Sequence, residues 1–110
     1  MDIALLVPAD RLLEVGHLPG TVVLTYGSAL DLVVTLRATA NPAVIWSDDV
    51  DEESLEAVAA AVRDRAGECI EVRGKGWDGQ TPSPLSAACR GVISGFGAGG
   101  VAAAVGLARD

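Results

Sequence analysis

Aromatic side chains are scarce in this sequence, with two Trp, one Tyr and one Phe among 110 residues. A core built from it must be mostly Val, Leu, Ile and Ala, and such small side chains need close backbone approach to bury enough area. Basic residues are few as well: 8 Lys and Arg stand against 15 Asp and Glu, for a formal charge of −7. They are scattered along the chain, whereas affinity for a phosphate backbone comes from clustered cations, so nucleic acid is not an expected partner. The same charge repels anionic membranes. Histidine occurs once, as His17, which leaves little material for imidazole chemistry. The two cysteines, Cys69 and Cys89, are twenty positions apart, a spacing that fits neither a CxxC redox pair nor a metal knuckle. Both sit among apolar residues, so two buried, reduced thiols in a cytoplasmic protein are expected. Met1-Asp2-Ile3 carries no basic n-region, and no secretory signal is expected.

What is present is apolar material. Half of the residues are hydrophobic, enough for a globular rather than a disordered chain, and the length suits one domain over 1–110. Ile3 to Val7 reads as a buried strand closed by Pro8, followed by one or two helical turns over Asp10 to Val15. Thr21 to Tyr26 is a β-branched run bounded by Pro19-Gly20 and Gly27. Ser28 to Ala40 is two-sided. Ser28 with Asp31 resembles an N-terminal cap and Leu30, Val33, Val34 and Arg37 keep helical spacing, yet Leu30, Leu32, Val34 and Leu36 alternate as a strand would. Length and the cap favour helix. Ala43 to Trp46 reads as a third strand. Asp49 to Ala66 reads as a helix with Asp49, Asp51, Glu52 and Glu53 in its first turn, where carboxylates suit the dipole. Its apolar face is Leu55, Val58, Ala59 and Val62, and Gly67 stops it. Cys69 to Arg73 reads as a fourth strand, with Ile70 and Val72 alternating with Glu71 and Arg73. Gly74 to Pro84 reads as a loop. The expected fold is a compact α/β sandwich of about four mainly parallel strands with helices on the sheet faces.

The stretch from Pro84 to Asp110 supports three readings. Gly95, Gly97 and Gly100 satisfy GxGxxG between a strand over Gly91 to Ser94 and a helix over Val101 to Arg109. In this the segment resembles the first βα turn of dinucleotide-binding flavoproteins, which implies a pyrophosphate held by backbone amides. The acidic ribose-binding residue that follows about 20 positions later in such proteins has no counterpart in the sequence. Ala87-Ala88, Gly91, Gly95 and Gly97 also resemble the Ala-Ala-x-x-Gly-x-x-x-Gly-x-Gly stretch of the crotonase (enoyl-CoA hydratase) superfamily, which implies an amide polarising a thioester carbonyl. The third reading is packing. Ser83 caps a helix that begins at Pro84, and Gly91, Gly95, Gly99 and Ala103 recur every four residues as a small-residue stripe for close backbone approach. The packing reading is preferred. Gly91 to Ala108 has no charged residue and reaches the minimum length of a spanning helix, but its glycines make it weakly hydrophobic, so membrane insertion is not expected.

Other residues carry weaker signals. His17 sits in a turn, where a lone histidine is ordinarily solvated. Asp48, Asp49 and Asp51 follow a strand and could hold Mg²⁺, although a helix cap explains them without metal. Lys75, Trp77 and Asp78 form a polar loop suited to a ligand lid or a partner contact. Thr81, Ser83 and Ser86 have no histidine neighbour in sequence to activate a nucleophile. The expected function is that of a small soluble, non-enzymatic binding or assembly module that associates with itself through small-residue surfaces. The alternative is a small enzyme or degenerate enzyme homologue, crotonase-like or nucleotide-binding. It would present Gly95, Gly97, Gly99 and Gly100, with Lys75 and Trp77, to an acyl-CoA or phosphorylated ligand. Neither reading calls for a cofactor or a metal.

Overall fold

The computed structural model describes residues 2–16, 18–73, 83–94 and 99–109. The chain folds as strand β1 (Ile3–Pro8), a 3-10 segment (Ala9–Glu14), β2 (Thr21–Tyr26), α1 (Ala29–Ala38) and β3 (Ala43–Trp46). There follow a 3-10 turn (Glu52–Ser54) leading into α2 (Leu55–Asp64), then β4 (Cys69–Arg73), α3 (Pro84–Ala88), β5 (Gly91–Ser94) and α4 (Gly99–Arg109). The five strands form one sheet in the order β2-β1-β3-β4-β5, and all four pairings are parallel. The sheet thus has one strand more than the sequence suggests, the addition being β5.

Two apolar clusters fill the two faces. Ala4, Leu6, Ala43, Ile45 and Cys69 meet Leu32 and Leu36 of α1, Val58, Ala61 and Val62 of α2, and Leu85 of α3. On the opposite face Leu5, Val7, Val44, Trp46, Ile70 and Val72 meet Val101, Ala104 and Val105 of α4. Strands covered on both faces need apolar residues at every position, which is why β1 and β3 read as unbroken hydrophobic runs.

Local expectations are met in part. The stretch after Ser28 is helical over Ala29–Ala38: Ser28 Oγ accepts from the Asp31 amide at 3.1 Å, and the Gly27 amide donates to Asp31 Oδ2 at 3.0 Å. The buried side of α1 is Leu32 and Leu36, however, and Leu30 and Val34 face outward. The helix expected from Asp49 starts later, and Asp49 caps nothing; its carboxylate meets Arg11 Nε at 3.3 Å. Gly67 is not a left-handed stop. Its need for glycine is steric, because a Cβ there would lie 2.5 Å from the Ala40 carbonyl oxygen and 2.6 Å from that of Asn41. Arg65 holds the same junction, its guanidinium donating to the carbonyls of Leu36, Thr39, Asn41 and Gly67 and to Cys69 Sγ.

The four-residue stripe is divided. Gly91 lies on β5 and Gly99 begins α4, so Gly91, Gly95, Gly99 and Ala103 do not share one face of one helix. Among the described residues no helix is long and apolar enough to cross a membrane.

Candidate functional site

The chain runs outward from β1 to β2 and then returns past β1 to β3. In a doubly wound sheet such a reversal opens a crevice at the carboxyl ends of the strands, where ligands commonly bind. Here the crevice is a cleft of about 240 Å³ lined by Pro8, Ala9, Asp10, Tyr26, Gly27, Ser28 and Asp49. Tyr26, Ser28 and Asp49 each bond a residue outside the lining. The Tyr26 hydroxyl donates to the Trp46 carbonyl, and burial, reinforced by Asp49 and Asp48, raises its pKa well above the ordinary phenol range. The Trp46 ring donates from Nε1 to Asp48 Oδ2 at 2.8 Å, and the Arg11 guanidinium lies over that ring, 5.4 Å from its centroid. Asp49 in turn raises the Arg11 pKa. Asp51, at the start of the 3-10 turn, makes no capping side-chain bond. Among the described residues no group of three or more His, Cys, Asp or Glu side chains is placed to hold a metal ion.

A second polar cluster lies at the carboxyl ends of β3 and β4. Glu71, which alternates with Ile70 and Val72 along β4, is 0% exposed. By strand alternation it points the same way as Cys69, toward α3. Its Oε2 accepts from Ser47 Oγ at 2.5 Å and from Arg73 Nε at 3.0 Å, and its Oε1 accepts from Ser86 Oγ at 2.6 Å. A buried carboxylate is tolerated when its lone pairs are met in this way. The arrangement ties α3 to the sheet through Ser86 and occupies both serine hydroxyls. Ser83 is buried beside it and caps α3, accepting from the Ser86 amide at 3.4 Å.

The opposite, amino edge of the sheet carries a cleft of about 280 Å³ whose lining includes Arg65, Cys69, Cys89 and Arg90. Both thiols are free. Burial raises the Cys69 pKa, against the opposing pull of Arg65. Burial raises that of Cys89 further, with Cys69 adding to it. Arg90 is paired with Glu68 at 3.4 Å.

Of the ligand residues expected from sequence, Gly95, Gly97, Lys75 and Trp77 lie outside the described residues, as do His17, Asp78 and Thr81. Gly99 is exposed, with open space where a Cβ would stand, and Gly100 is buried in the first turn of α4. In chain order β5 ends at Ser94 and α4 begins at Gly99. Sequence reasoning missed Glu71 and Arg65, because an alternating strand and a basic last helical turn each had a sufficient local explanation.

The chain matches no protein-family model and no curated protein.

Proposed function

We propose that this protein is a non-enzymatic assembly module of the cytoplasm that associates with itself. The observation that carries the reading is apolar surface left uncovered on the β2 side of the fold and on α1. Leu13 is 99% exposed, Leu30 74% and Val34 58%, and Val22 and Val23 of β2 are exposed as well. Single exposed apolar residues are ordinary, but several on neighbouring elements of so small a chain suit burial against a partner. The partner surface implied is equally apolar, since a net charge of −7 sets charged faces of two copies against each other.

A second reading has its own support. A strand, a glycine-rich turn and a helix in succession form the context in which backbone amides receive a phosphate, and β5 and α4 bracket GxGxxG in that order. This reading takes a nucleotide or a CoA ester as ligand. One experiment separates the two. Melting temperature is measured across a wide range of protein concentration, with and without ATP, NAD or acetyl-CoA. Assembly raises it with protein concentration and leaves it unmoved by the ligands, because only association then favours the folded state by mass action. A ligand-dependent rise at fixed concentration, with no concentration dependence, overturns the assembly reading in favour of the second.

A further inference from the structure

We infer that two copies of this chain join through the free edge of β2, antiparallel about a two-fold axis at Val23, into one continuous ten-stranded sheet. The inference rests on the assembly reading and specifies its surface.

β2 is the outermost strand, hydrogen-bonded to β1 alone. The amide of Ile3 donates to the carbonyl of Gly20. In a parallel ladder the residues that bond the neighbour alternate, so Val22, Leu24 and Tyr26 follow Gly20 toward β1. Thr21, Val23 and Thr25 then direct their N–H and C=O groups away from the sheet. None of those three makes a backbone bond elsewhere among the described residues.

Natural sheets guard such an edge with lysine, proline, a bulge or an inward charge. β2, with the sequence TVVLTY, has none of these charges and no proline, and its six-residue register with β1 is unbroken. It is also uncharged within a chain of net charge −7. Two copies can approach there without bringing like charges together, which an acidic partner surface elsewhere would require.

The register selects a second copy of this chain as the occupant. The outward set Thr21, Val23 and Thr25 is symmetric about Val23. An antiparallel dyad at that residue sets Val23 opposite Val23 and Thr21 opposite Thr25, each pair exchanging N–H and C=O. The intervening pairs set Val22 opposite Leu24. Every opposed pair then shares a face of the sheet, as pleating demands, and each combination is one that stabilises cross-strand contact. Val22, 43% exposed, and Val23, 39% exposed, gain cover on opposite faces. A shift of one residue in this register would place side chains of one face opposite those of the other.

The test is mass in solution, by light scattering after size exclusion, for the wild type and three variants. The expected wild-type species has twice the 11.2 kDa chain mass. Val23→Lys places two cations together on the axis and is expected to give monomer. Val23→Pro removes an N–H that points away from β1, so the folded monomer keeps its ladder while the axial pair is lost, and monomer is again expected. Ala57→Lys, on the exposed side of α2, is expected to remain dimeric. Circular dichroism of each variant establishes that it is folded. A dimer that survives both Val23 variants, or that Ala57→Lys alone dissociates, overturns the β2 edge and leaves self-association standing. A dimer that Val23→Lys breaks and a folded Val23→Pro retains overturns strand pairing in favour of a side-chain contact. A wild type that stays monomeric into the millimolar range overturns both the edge and the assembly reading.

Discussion

At the scale of single residues, burial disfavours the ionised form of three groups, although Cys89 is only partly buried where the sequence suggested two buried thiols. Cys69, Cys89 and Tyr26 all have raised pKa values, with burial the leading cause each time. Unfolded, a thiol ionises near 9 and the phenol near 10. Above those values the unfolded chain has released protons that the native chain still holds, so stability falls as pH rises. Urea midpoints measured from pH 7 to pH 11 are expected to be level up to about 8 and to decline beyond 9. Cys89→Ala is expected to lessen the slope between 9 and 11, and an unchanged slope would show that the Cys89 thiol ionises freely in the folded protein. Glu71 is fully buried, and its carboxyl oxygens are met by two hydroxyls and a guanidinium. Nothing local announces it: Ser47 and Ser86 stand 24 and 15 positions away, and only the packing of α3 over β4 covers the face that carries it.

At the scale of elements, legibility depended on whether one period excluded the other. Thr21–Tyr26, Ala43–Trp46 and Cys69–Arg73 are strands over the spans that their β-branched and apolar runs imply, because each is too short and too well bounded for a helix. The Gly and Ala stretch after Arg90 fits a strand, a turn and a helix equally well, since small side chains weaken both periods, and there only tertiary pairing with β4 decides. The first turns of α1 and α2 show the same division. Ser28 forms the cap that its spacing implies, whereas Asp49, as good a cap by residue type, is drawn to Arg11 across the β1 loop. The two serve as a matched pair for experiment. Ser28→Ala is expected to cost about 1 kcal/mol in urea unfolding, the ordinary worth of an N-cap. Asp49→Ala is expected to cost clearly less, because it removes only an exposed ion pair, and its effect should fade in high salt. An Asp49→Ala loss equal to that of Ser28→Ala and insensitive to salt would restore the capping role.

At the scale of the whole molecule, the order β2-β1-β3-β4-β5 places the first strand of the chain inside the sheet, between the second and the third. β1 is apolar throughout and buried at every position, so it has no solvent-tolerant face of its own. The sequence displays that character plainly, yet nothing in it states which strands flank β1, because pairing partners are chosen by packing rather than by neighbouring residues. This centrality bears on how the protein is made. β1 leaves the ribosome before the other four strands, and β3, the neighbour on its second edge, is complete only at Trp46. Until then a nascent chain carries its most hydrophobic strand with one edge open and both faces partly bare, the condition under which unfinished domains associate wrongly. Stalled chains that have exposed residues 1–40 are expected to bind a holdase chaperone and to be cleaved readily by protease. Chains extended past β4, with α1 and α2 able to close one face, are expected to lose both properties together. A lasting chaperone association beyond that point would mean that α4, the cover of the other face, is needed to close the nascent domain.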